Sequence, residues 1–430
     1  MTRYDLAYLA LAPLYVPLYL AKLWRARRPI APLWDRLSGP FLEKGALPRI
    51  WIHAVSVGEA LAARTLVAAL GAALPGFEVV VSASTETGRD VAARTYGEKR
   101  CLPCPLDLSG PVRRAFDQVN PALLVLMELE LWPNLLAEAA ARQVPAAVVN
   151  GRLTDRSARR YARLRPLLRR TLGRVAVYAA QTQAYAERFK AIGAPPDRVT
   201  VTGSMKYDAV AAGAVSPAER EKTRRRLGLA GDALVVVGGS THPSEELALL
   251  AALAGLRGRH PALRAVVVPR HVNRAEALAG ELAAAGWKVR RRSQLGAAGA
   301  LMRGAQQADE VLLVDTVGEL GDVYRAADLA FLGGSLIPHG GQNMMEPAAL
   351  GLPVLYGPHT HNFTETVALL DAAGAGRTVA DAAGLAGALG ELLADPERRR
   401  AAGEAGRAAI LKAQGATARN VTLLRGLLGR

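Results

Sequence analysis

The stretch GGSLIPHGGQNMMEPAALGLPVLYGPHTHNF, residues 333–363, decides the fold. It follows the apolar run LAFL (329–332), which is typical of a buried strand, and it contains a second such run, LPVLY. Its glycine pairs let the backbone come close to a ligand. A glycine-rich turn between a strand and a helix aims free backbone N–H groups and a helix N-terminus at one point. We therefore expect an anionic phosphate to bind there.

Two glycines and two polar side chains of this stretch are the candidate contacts to the ligand. Gly340 and Gly341 allow the close backbone approach. Asn343 and Glu346 lie one helical turn apart, so both can face the same molecule. A carboxylate beside a phosphate is best explained by a grip on hydroxyl groups, such as those of a ribose. The segment predicts a nucleotide-sugar site.

The same alternation of strand and helix runs through most of the chain, on either side of a polar break. Continuous apolar runs that alternate with helical segments predict parallel sheets covered on both faces, an α/β fold. At 430 residues the chain exceeds one ordinary core, so we predict two domains with a ligand cleft between them. The predicted boundaries are 29–210 for the first domain, 211–232 for a basic linker and 233–430 for the second domain.

The first 28 residues differ from the remainder. Leu6 to Ala21 is uncharged, and the basic residues Lys22, Arg25, Arg27 and Arg28 follow. Sixteen residues are fewer than the ~20 of an upright span, and prolines interrupt them. Tyrosine and tryptophan rings favour the membrane interface. We predict an N-terminal membrane anchor over 1–28, spanning or lying in the interface, with the rest of the chain in the cytoplasm. A buried helix is the alternative.

The formal net charge is +16, which suggests an anionic partner or, alternatively, only a solvated basic surface. Aromatic residues make up 5% of the chain, which argues against a protein that stacks nucleic-acid bases. An arginine-rich run at 151–170 would suit a phosphorylated or membrane-bound acceptor. Cys101 and Cys104 form a single C-x-x-C, so reduced thiols are expected and no metal site.

Three motifs of the first half end predicted strands. In HAVSVGE (53–59), Glu59 is either the last residue of an S-x-x-E capping box or a general base. In MELELWPN (127–134), Glu128 either faces the cleft together with Glu130 or caps the next helix. In GSMKYD (203–208), Lys206 could pair with a phosphate or carboxylate or be an ordinary surface lysine.

Two further motifs belong to the second half. VPRH (268–271) brings Arg270 and His271 to a strand end, where an arginine can bind phosphate with two parallel hydrogen bonds. TVGELGDVY (316–324) contains the turn Gly318-Glu319 at another strand end. Each motif alone is a weak signal, but several strand-end turns of this type in one chain strengthen the prediction of a nucleotide site.

Together these motifs resemble those of 3-deoxy-D-manno-octulosonic acid (Kdo) transferases, in the same order along the chain. The resemblance implies a GT-B fold, with two Rossmann-like domains and the active site between them. It implies inverting transfer of Kdo from CMP-Kdo to a phosphorylated lipid A precursor, lipid IVA, without a cofactor or essential metal. It places the protein on the cytoplasmic face of the inner membrane, where the anionic bilayer is a further partner.

The resemblance also assigns roles to the candidate residues. Glu59 matches the general base, and Glu128 and Lys206 match residues that support the transition state. The CMP site is matched by Arg270, His271, Gly318, Glu319, Asn343 and Glu346. The chain departs from the family pattern at Gln342, where a histidine is usual, and at Met344-Met345. The alternatives are a transferase for another nucleotide sugar and a non-catalytic, membrane-tethered nucleotide-binding module.

Overall fold

A computed structural model of the protein describes residues 2–25, 31–39, 41–42, 45–210, 213–295 and 306–429. The chain divides into two compact units. The first comprises Met1–Ala209 together with Ala413–Arg430, and the second comprises Val210–Lys412. The chain therefore leaves the first unit once and returns to it for its last helix.

The first unit is built on a seven-stranded sheet in the order β3-β2-β1-β4-β5-β6-β7, and its strand pairs are parallel. The strands are β1 Arg49–Ala54, β2 Glu78–Ala83, β3 Cys101–Pro103, β4 Pro121–Met127, β5 Ala146–Gly151, β6 Val177–Ala180 and β7 Val199–Val201. The helices are α1 Arg3–Arg25, α2 Ala31–Ser38, α3 Val57–Ala62, α4 Arg64–Ala73, α5 Glu86–Tyr96, α6 Ser109–Val119, α7 Pro133–Ala141, α8 Asp155–Arg163, α9 Arg165–Leu172 and α10 Gln183–Ile192. The strand order reverses between β1 and β4, the point at which doubly wound sheets bind ligands.

Alternate residues of the central strands pack into two hydrophobic clusters. Ile50 and Ile52 of β1 belong to one cluster, whereas Trp51 belongs to the other. All three side chains are fully buried. Burial of such a side chain contributes about 1.5–3 kcal/mol to folding. This two-sided burial explains why the centre of β1, residues 50–52, is continuously apolar rather than an alternation of polar and apolar residues.

The second unit repeats the architecture, with a parallel seven-stranded sheet in the order β10-β11-β9-β8-β12-β13-β14. Its strands are β8 Leu234–Thr241, β9 Leu263–Pro269, β10 Lys288–Arg291, β11 Glu310–Leu313, β12 Leu329–Leu332, β13 Val354–Tyr356 and β14 Gly376–Thr378. Its helices are α11 Pro217–Arg226, α12 Glu245–Leu256, α13 Ala275–Ala284, α14 Leu320–Ala326, α15 Met345–Ala349, α16 Thr364–Ala372, α17 Ala382–Ala394 and α18 Pro396–Ala413. Two parallel-sheet α/β units confirm the α/β part of the prediction and the presence of two domains.

The boundaries around the second unit differ from those expected. Residues 217–226 of the expected linker form α11, and the buried Arg224 of this helix is paired with Asp328 at 2.8 Å, within the second unit. Residues 211–212 lie outside the described part. The last helix, α19 Ala416–Leu427, packs on the first unit because Leu424 joins the hydrophobic cluster that contains Leu66. Composition alone does not indicate which sheet an apolar helix face will cover.

The N-terminal segment is helical, and its first turns are held against the first unit by polar contacts. Ser109 N donates to the buried Asp5 carboxylate over 2.9 Å, and the Tyr8 hydroxyl donates to Asp107 over 2.9 Å. Further along, α1 exposes the large apolar side chains Leu6, Leu9, Leu11, Leu14, Val16 and Leu18. None of the described helices has both the length and the hydropathy of a membrane span. The anchor expected over 1–28 is thus not shown, and its Arg27 and Arg28 lie outside the described residues.

Candidate active-site residues in the two units

Glu59 lies at the start of α3, directly after β1. Ser56 caps this helix, with its hydroxyl accepting from Glu59 N over 3.3 Å. In return, the Glu59 carboxylate accepts from Val55 N over 2.9 Å and from the Ser56 hydroxyl over 3.0 Å. The capping box that the sequence offered as one alternative is therefore present. The role of Glu59 as a general base stays a prediction.

Glu128 follows β4, the neighbour of β1 in the sheet, and its backbone adopts a left-handed conformation with φ 58°. Its N–H donates to Val149 O over 3.0 Å, which holds the residue at the strand end. A non-glycine residue in this conformation costs about 1–2 kcal/mol. Such strain persists where surrounding contacts enforce it, and it is found most often at functional sites. Here it turns the chain out of β4 at the switch point of the sheet.

The carboxylates of Glu59, Glu128 and Glu130 interact electrostatically. Burial raises the pKa of Glu59, and the negative charge of Glu128 raises it further. Burial, followed by the charges of Glu59 and Glu128, raises the pKa of Glu130 to about 7. Carboxylates that repel one another resist simultaneous ionisation, so Glu130 favours holding a proton near neutral pH. Glu130 was not among the residues selected from the sequence, although its two-residue spacing from Glu128 was the available signal.

His53, in the same motif as Glu59, is a core residue. Its side chain is fully buried, and its Nδ1 lies 2.9 Å from the Ser82 hydroxyl. Burial lowers the pKa of His53 to about 3, so the ring is neutral at physiological pH. It supports the end of β1 beneath the carboxylates and does not act there as a cation.

Lys206 lies in the turn after β7 and is exposed. The neighbouring Met205 is fully buried, and its N–H donates to the Asn150 side chain over 3.1 Å. Asn150 stands at the end of β5, also with a left-handed backbone. Because β1, β4, β5 and β7 are parallel, these strand ends lie at one edge of the sheet. The first unit thus brings Glu59, Glu128 and Lys206 to the same edge.

In the second unit, a buried glutamate that the sequence did not single out organises the glycine-rich turn. The Glu245 carboxylate accepts from Gly334 N over 2.6 Å, and from Ser335 N and Leu336 N over 3.0 Å each. It also accepts from His242 N over 3.0 Å. The expectation that the backbone N–H groups directly after β12 are free for a phosphate is therefore wrong. A carboxylate already occupies them, which makes the turn rigid.

Asn343 and Glu346, which we expect to face one ligand, are hydrogen-bonded to each other. The Asn343 amide donates to the Glu346 carboxylate over 3.0 Å, and its oxygen accepts from Met345 N over 3.0 Å. Burial raises the pKa of Glu346, and the bond from Asn343 partly opposes this. The adjacent Gly340 requires glycine, because its φ is 99° and a Cβ there would lie 2.2 Å from the Asn362 side chain. Close packing against the loop after β13 thus sets this backbone.

Three histidine rings surround the turn after β8. The His242 ring centroid lies 4.2 Å from that of His339 and 6.0 Å from that of His271. Burial, and then the neighbouring His339, lowers the pKa of His242. The amide nitrogen of Gln342, which can only donate, lies 3.2 Å from His242 Nε2, so that ring nitrogen accepts. Gln342, which stands where a histidine is usual in the family, therefore contacts a neutral His242 ring.

Arg270 and Glu319 differ in whether their charged side chains are paired with other described residues. The Arg270 side chain is exposed and has no ion-pair partner in the described residues. The backbone N–H of Arg270 donates to Thr241 O over 2.9 Å. The Glu319 carboxylate is paired with Arg292 at 2.8 Å and also accepts from the Thr316 hydroxyl. Gly318, directly before it, has a φ of 87°. Arg270 is thus available to an anion, whereas Glu319 primarily fixes the β11–α14 turn.

A surface pocket of about 450 Å³ lies beside β14 and α18, and none of the predicted site residues lines it. The described residues contain no group of three or more histidine, cysteine, aspartate or glutamate side chains arranged to hold a metal ion.

Comparisons with known proteins identify relatives of this chain. Residues 24–209 match the family described as 3-Deoxy-D-manno-octulosonic-acid transferase (kdotransferase). The 3-deoxy-D-manno-octulosonic acid transferase of Bordetella pertussis is 36% identical over 442 residues, covering 99% of this chain and 99% of that protein. The enzyme of the same name from Haemophilus influenzae is 33% identical over 383 residues, covering 89% and 87%.

Among solved structures, the chain is similar to a glycosyltransferase from Rickettsia africae. The TM-score is 0.56 at 13% sequence identity, covering 89% of this chain and 99% of that one. At this identity the likeness concerns the fold alone, and it agrees with the two parallel-sheet units.

Proposed function

The chain belongs to the 3-deoxy-D-manno-octulosonic acid (Kdo) transferase family, and from this premise we propose that it moves Kdo from CMP-Kdo to lipid IVA, with inversion. It is a glycosyltransferase, as its homologues are. The observation that carries the proposed mechanism is the carboxylate cluster of the first unit. There, burial and a neighbouring negative charge raise the pKa of Glu59.

We assign the second unit to the donor, in a GT-B arrangement. The exposed Arg270 guanidinium is the natural partner of the CMP phosphate, because it can donate two parallel hydrogen bonds. The Asn343–Glu346 pair presents an amide and a carboxylate held 3.0 Å apart, which suits the hydroxyl groups of the ribose. Since Glu245 occupies the N–H groups of the β12 turn, the phosphate depends on side chains rather than on that backbone.

The first unit supplies the base in this proposal. Glu59 takes the proton of the acceptor hydroxyl while that oxygen forms a bond to the anomeric carbon of Kdo. The bond from this carbon to the CMP phosphate oxygen breaks in the same step, and CMP leaves with the bonding electron pair. A base with a raised pKa accepts a proton more readily than an ordinary glutamate. Lys206 offsets the negative charge that develops, and no metal or cofactor takes part in the scheme.

A lipid acceptor is consistent with one surface of the first unit. The Tyr4 hydroxyl of α1 lies 3.0 Å from that of Thr171 in α9, so the two helices are neighbours. Leucines of α1 are exposed, as is Leu167 of α9, and α8 and α9 expose a set of arginines, namely Arg156, Arg159, Arg160, Arg163, Arg165, Arg169 and Arg170. Apolar and cationic groups together suit an anionic bilayer. We propose that α1 lies in the interface, at the cytoplasmic face of the inner membrane.

The decisive experiment incubates the purified protein with CMP-Kdo and lipid IVA and reads the product by mass spectrometry. The proposal requires a product heavier than lipid IVA by the mass of one or more Kdo residues, together with free CMP. UDP- and GDP-sugars are the matched controls and should yield no product. Transfer from one of these donors alone would assign the protein to another nucleotide sugar. Binding of CMP-Kdo without any transfer would indicate a non-catalytic module.

A further inference from the structure

The turn that carries Lys206 is fastened to the last helix of the chain by one carboxylate. The chain leaves the first unit after Ala209 and returns to it at Ala413. Asp208, directly before the exit, accepts from Gly415 N over 2.6 Å and from Thr417 N over 2.5 Å. Both N–H groups belong to the start of α19, where the helix dipole favours a negative charge.

Other bonds between the two segments reinforce this contact. The Gln414 amide donates to Tyr207 O over 2.8 Å, and Arg419 Nε donates to Thr202 O over 2.8 Å. The buried Asn420 amide lies 3.3 Å from the Thr202 hydroxyl. The turn over 202–208 is therefore bonded to α19 at both of its ends.

Helix α19 also contacts the element that follows Glu59. Helix α4 continues the chain directly after α3, which begins with the Glu59 capping box. The Thr417 hydroxyl lies 3.2 Å from the Thr65 hydroxyl of α4, and Leu424 packs in the same hydrophobic cluster as Leu66. Helix α19 thus contacts both the Lys206 turn and α4, the helix that directly follows the one carrying Glu59.

We propose that Asp208 is a positioning residue for Lys206, acting through α19; the proposal rests on the transferase function proposed above. Lys206 is exposed and has no ion-pair partner in the part of the chain that the structure describes. Its placement therefore comes from its own turn and not from a salt bridge. Charge-assisted hydrogen bonds are about twice as strong as neutral ones. Arg419 makes one such bond at the Thr202 end of the turn. The Asp208 carboxylate accepts two at the end next to Lys206, so Asp208 is the main restraint at that end.

Asp381 provides a matched control. It caps α17 in the second unit, where its carboxylate accepts from Gly384 N over 2.8 Å. Asp381→Asn makes the same chemical change at the start of a helix of similar length. It leaves the Lys206 turn untouched. A purely structural role for Asp208 predicts that Asp208→Asn and Asp381→Asn behave alike.

The experiment compares these two variants with the wild type in Kdo transfer and in hydrogen–deuterium exchange. We expect Asp208→Asn to lower kcat roughly 10–100-fold, the scale of a small misplacement of a catalytic group. The KM for CMP-Kdo should stay within about twofold, because donor binding is assigned to the second unit. Backbone exchange should rise in 203–207 in Asp208→Asn and stay at the wild-type level in Asp381→Asn.

Equal kcat values for the two variants, or unchanged exchange over 203–207 in Asp208→Asn, would overturn the proposal. The proposal would also be refuted if Asp208→Asn were less thermally stable than Asp381→Asn to an extent that accounts for its lower kcat. A wild-type protein without any Kdo transfer would instead refute the proposed function. In that case the exchange measurement still decides whether Asp208 holds the turn.

Discussion

Replacing Glu59 by glutamine separates the two roles that this residue can have. In the wild type, both carboxylate oxygens accept a hydrogen bond, one from Val55 N and one from the Ser56 hydroxyl. Glutamine keeps one acceptor oxygen, so the helix start loses about one bond. A typical intramolecular hydrogen bond contributes about 0.5–1.5 kcal/mol, so the fold of Glu59→Gln should survive.

The expected loss of activity is much larger than this structural cost. Loss of a general base typically lowers the rate ~10²–10⁴-fold, and we expect the upper end because the amide cannot take a proton at neutral pH. Burial and the charge of Glu128 raise the pKa of Glu59, so kcat of the wild type should fall on the acid side at a higher pH than an ordinary glutamate would produce. This acid limb should be absent from the residual activity of Glu59→Gln.

Glu219 offers a control for the exchange of glutamate for glutamine at an S-x-x-E helix start. It occupies the same S-x-x-E position in α11, where Ser216 accepts from Glu219 N over 3.2 Å. The Ser216 bond uses the backbone N–H of Glu219, and the half-exposed carboxylate of Glu219 pairs with Arg325 at 3.6 Å. Glu219→Gln should therefore leave both the melting temperature and kcat near the wild-type values. The assay is steady-state Kdo transfer beside a thermal melt. Near-normal transfer by a folded Glu59→Gln protein would show that Glu59 is a cap and nothing more.

Three further outcomes are expected. Arg270→Ala should weaken CMP binding in titration calorimetry by roughly 1.5–3 kcal/mol, the scale of a hydrogen bond to a charged group, whereas the exposed Arg259→Ala should not; equal affinities would refute the phosphate assignment. Burial raises the pKa of Glu130 to about 7. Its contribution to stability is therefore complete below ~4.3, the ordinary pKa of glutamate, and is lost as pH rises through about 7. The melting temperature of Glu130→Gln should therefore rise relative to that of the wild type as the pH increases from 5 to 8, and a pH-independent difference would contradict the raised pKa. Leu14→Asp with Leu18→Asp, at exposed positions of α1, should reduce flotation with anionic vesicles without lowering the melting temperature; unchanged flotation would exclude this face from the membrane contact.

Local patterns in the sequence were sufficient for the fold class and for the family. Unbroken apolar runs between helical segments predicted two parallel sheets, because strands buried on both faces cannot alternate polar and apolar residues. The spacing of Asn343 and Glu346 placed them on one side of the chain, because three residues make almost one helical turn, and their side chains are hydrogen-bonded. The S-x-x-E pattern likewise predicted the Glu59 cap, because both partners lie within four residues of each other.

Contacts between distant segments decided the rest. Glu245 occupies the N–H groups of a turn about 90 residues further along, and α19 returns to the first unit after the whole second unit has been built. The sequence by itself therefore determined what each segment prefers and which chemistry its residues can perform. Only the tertiary structure decided which backbone donors stay free, which carboxylates raise the pKa of a neighbour and which helix supports the turn of Lys206. Hydrogen bonding and burial act through space, and their partners here are separated by tens to hundreds of residues of chain.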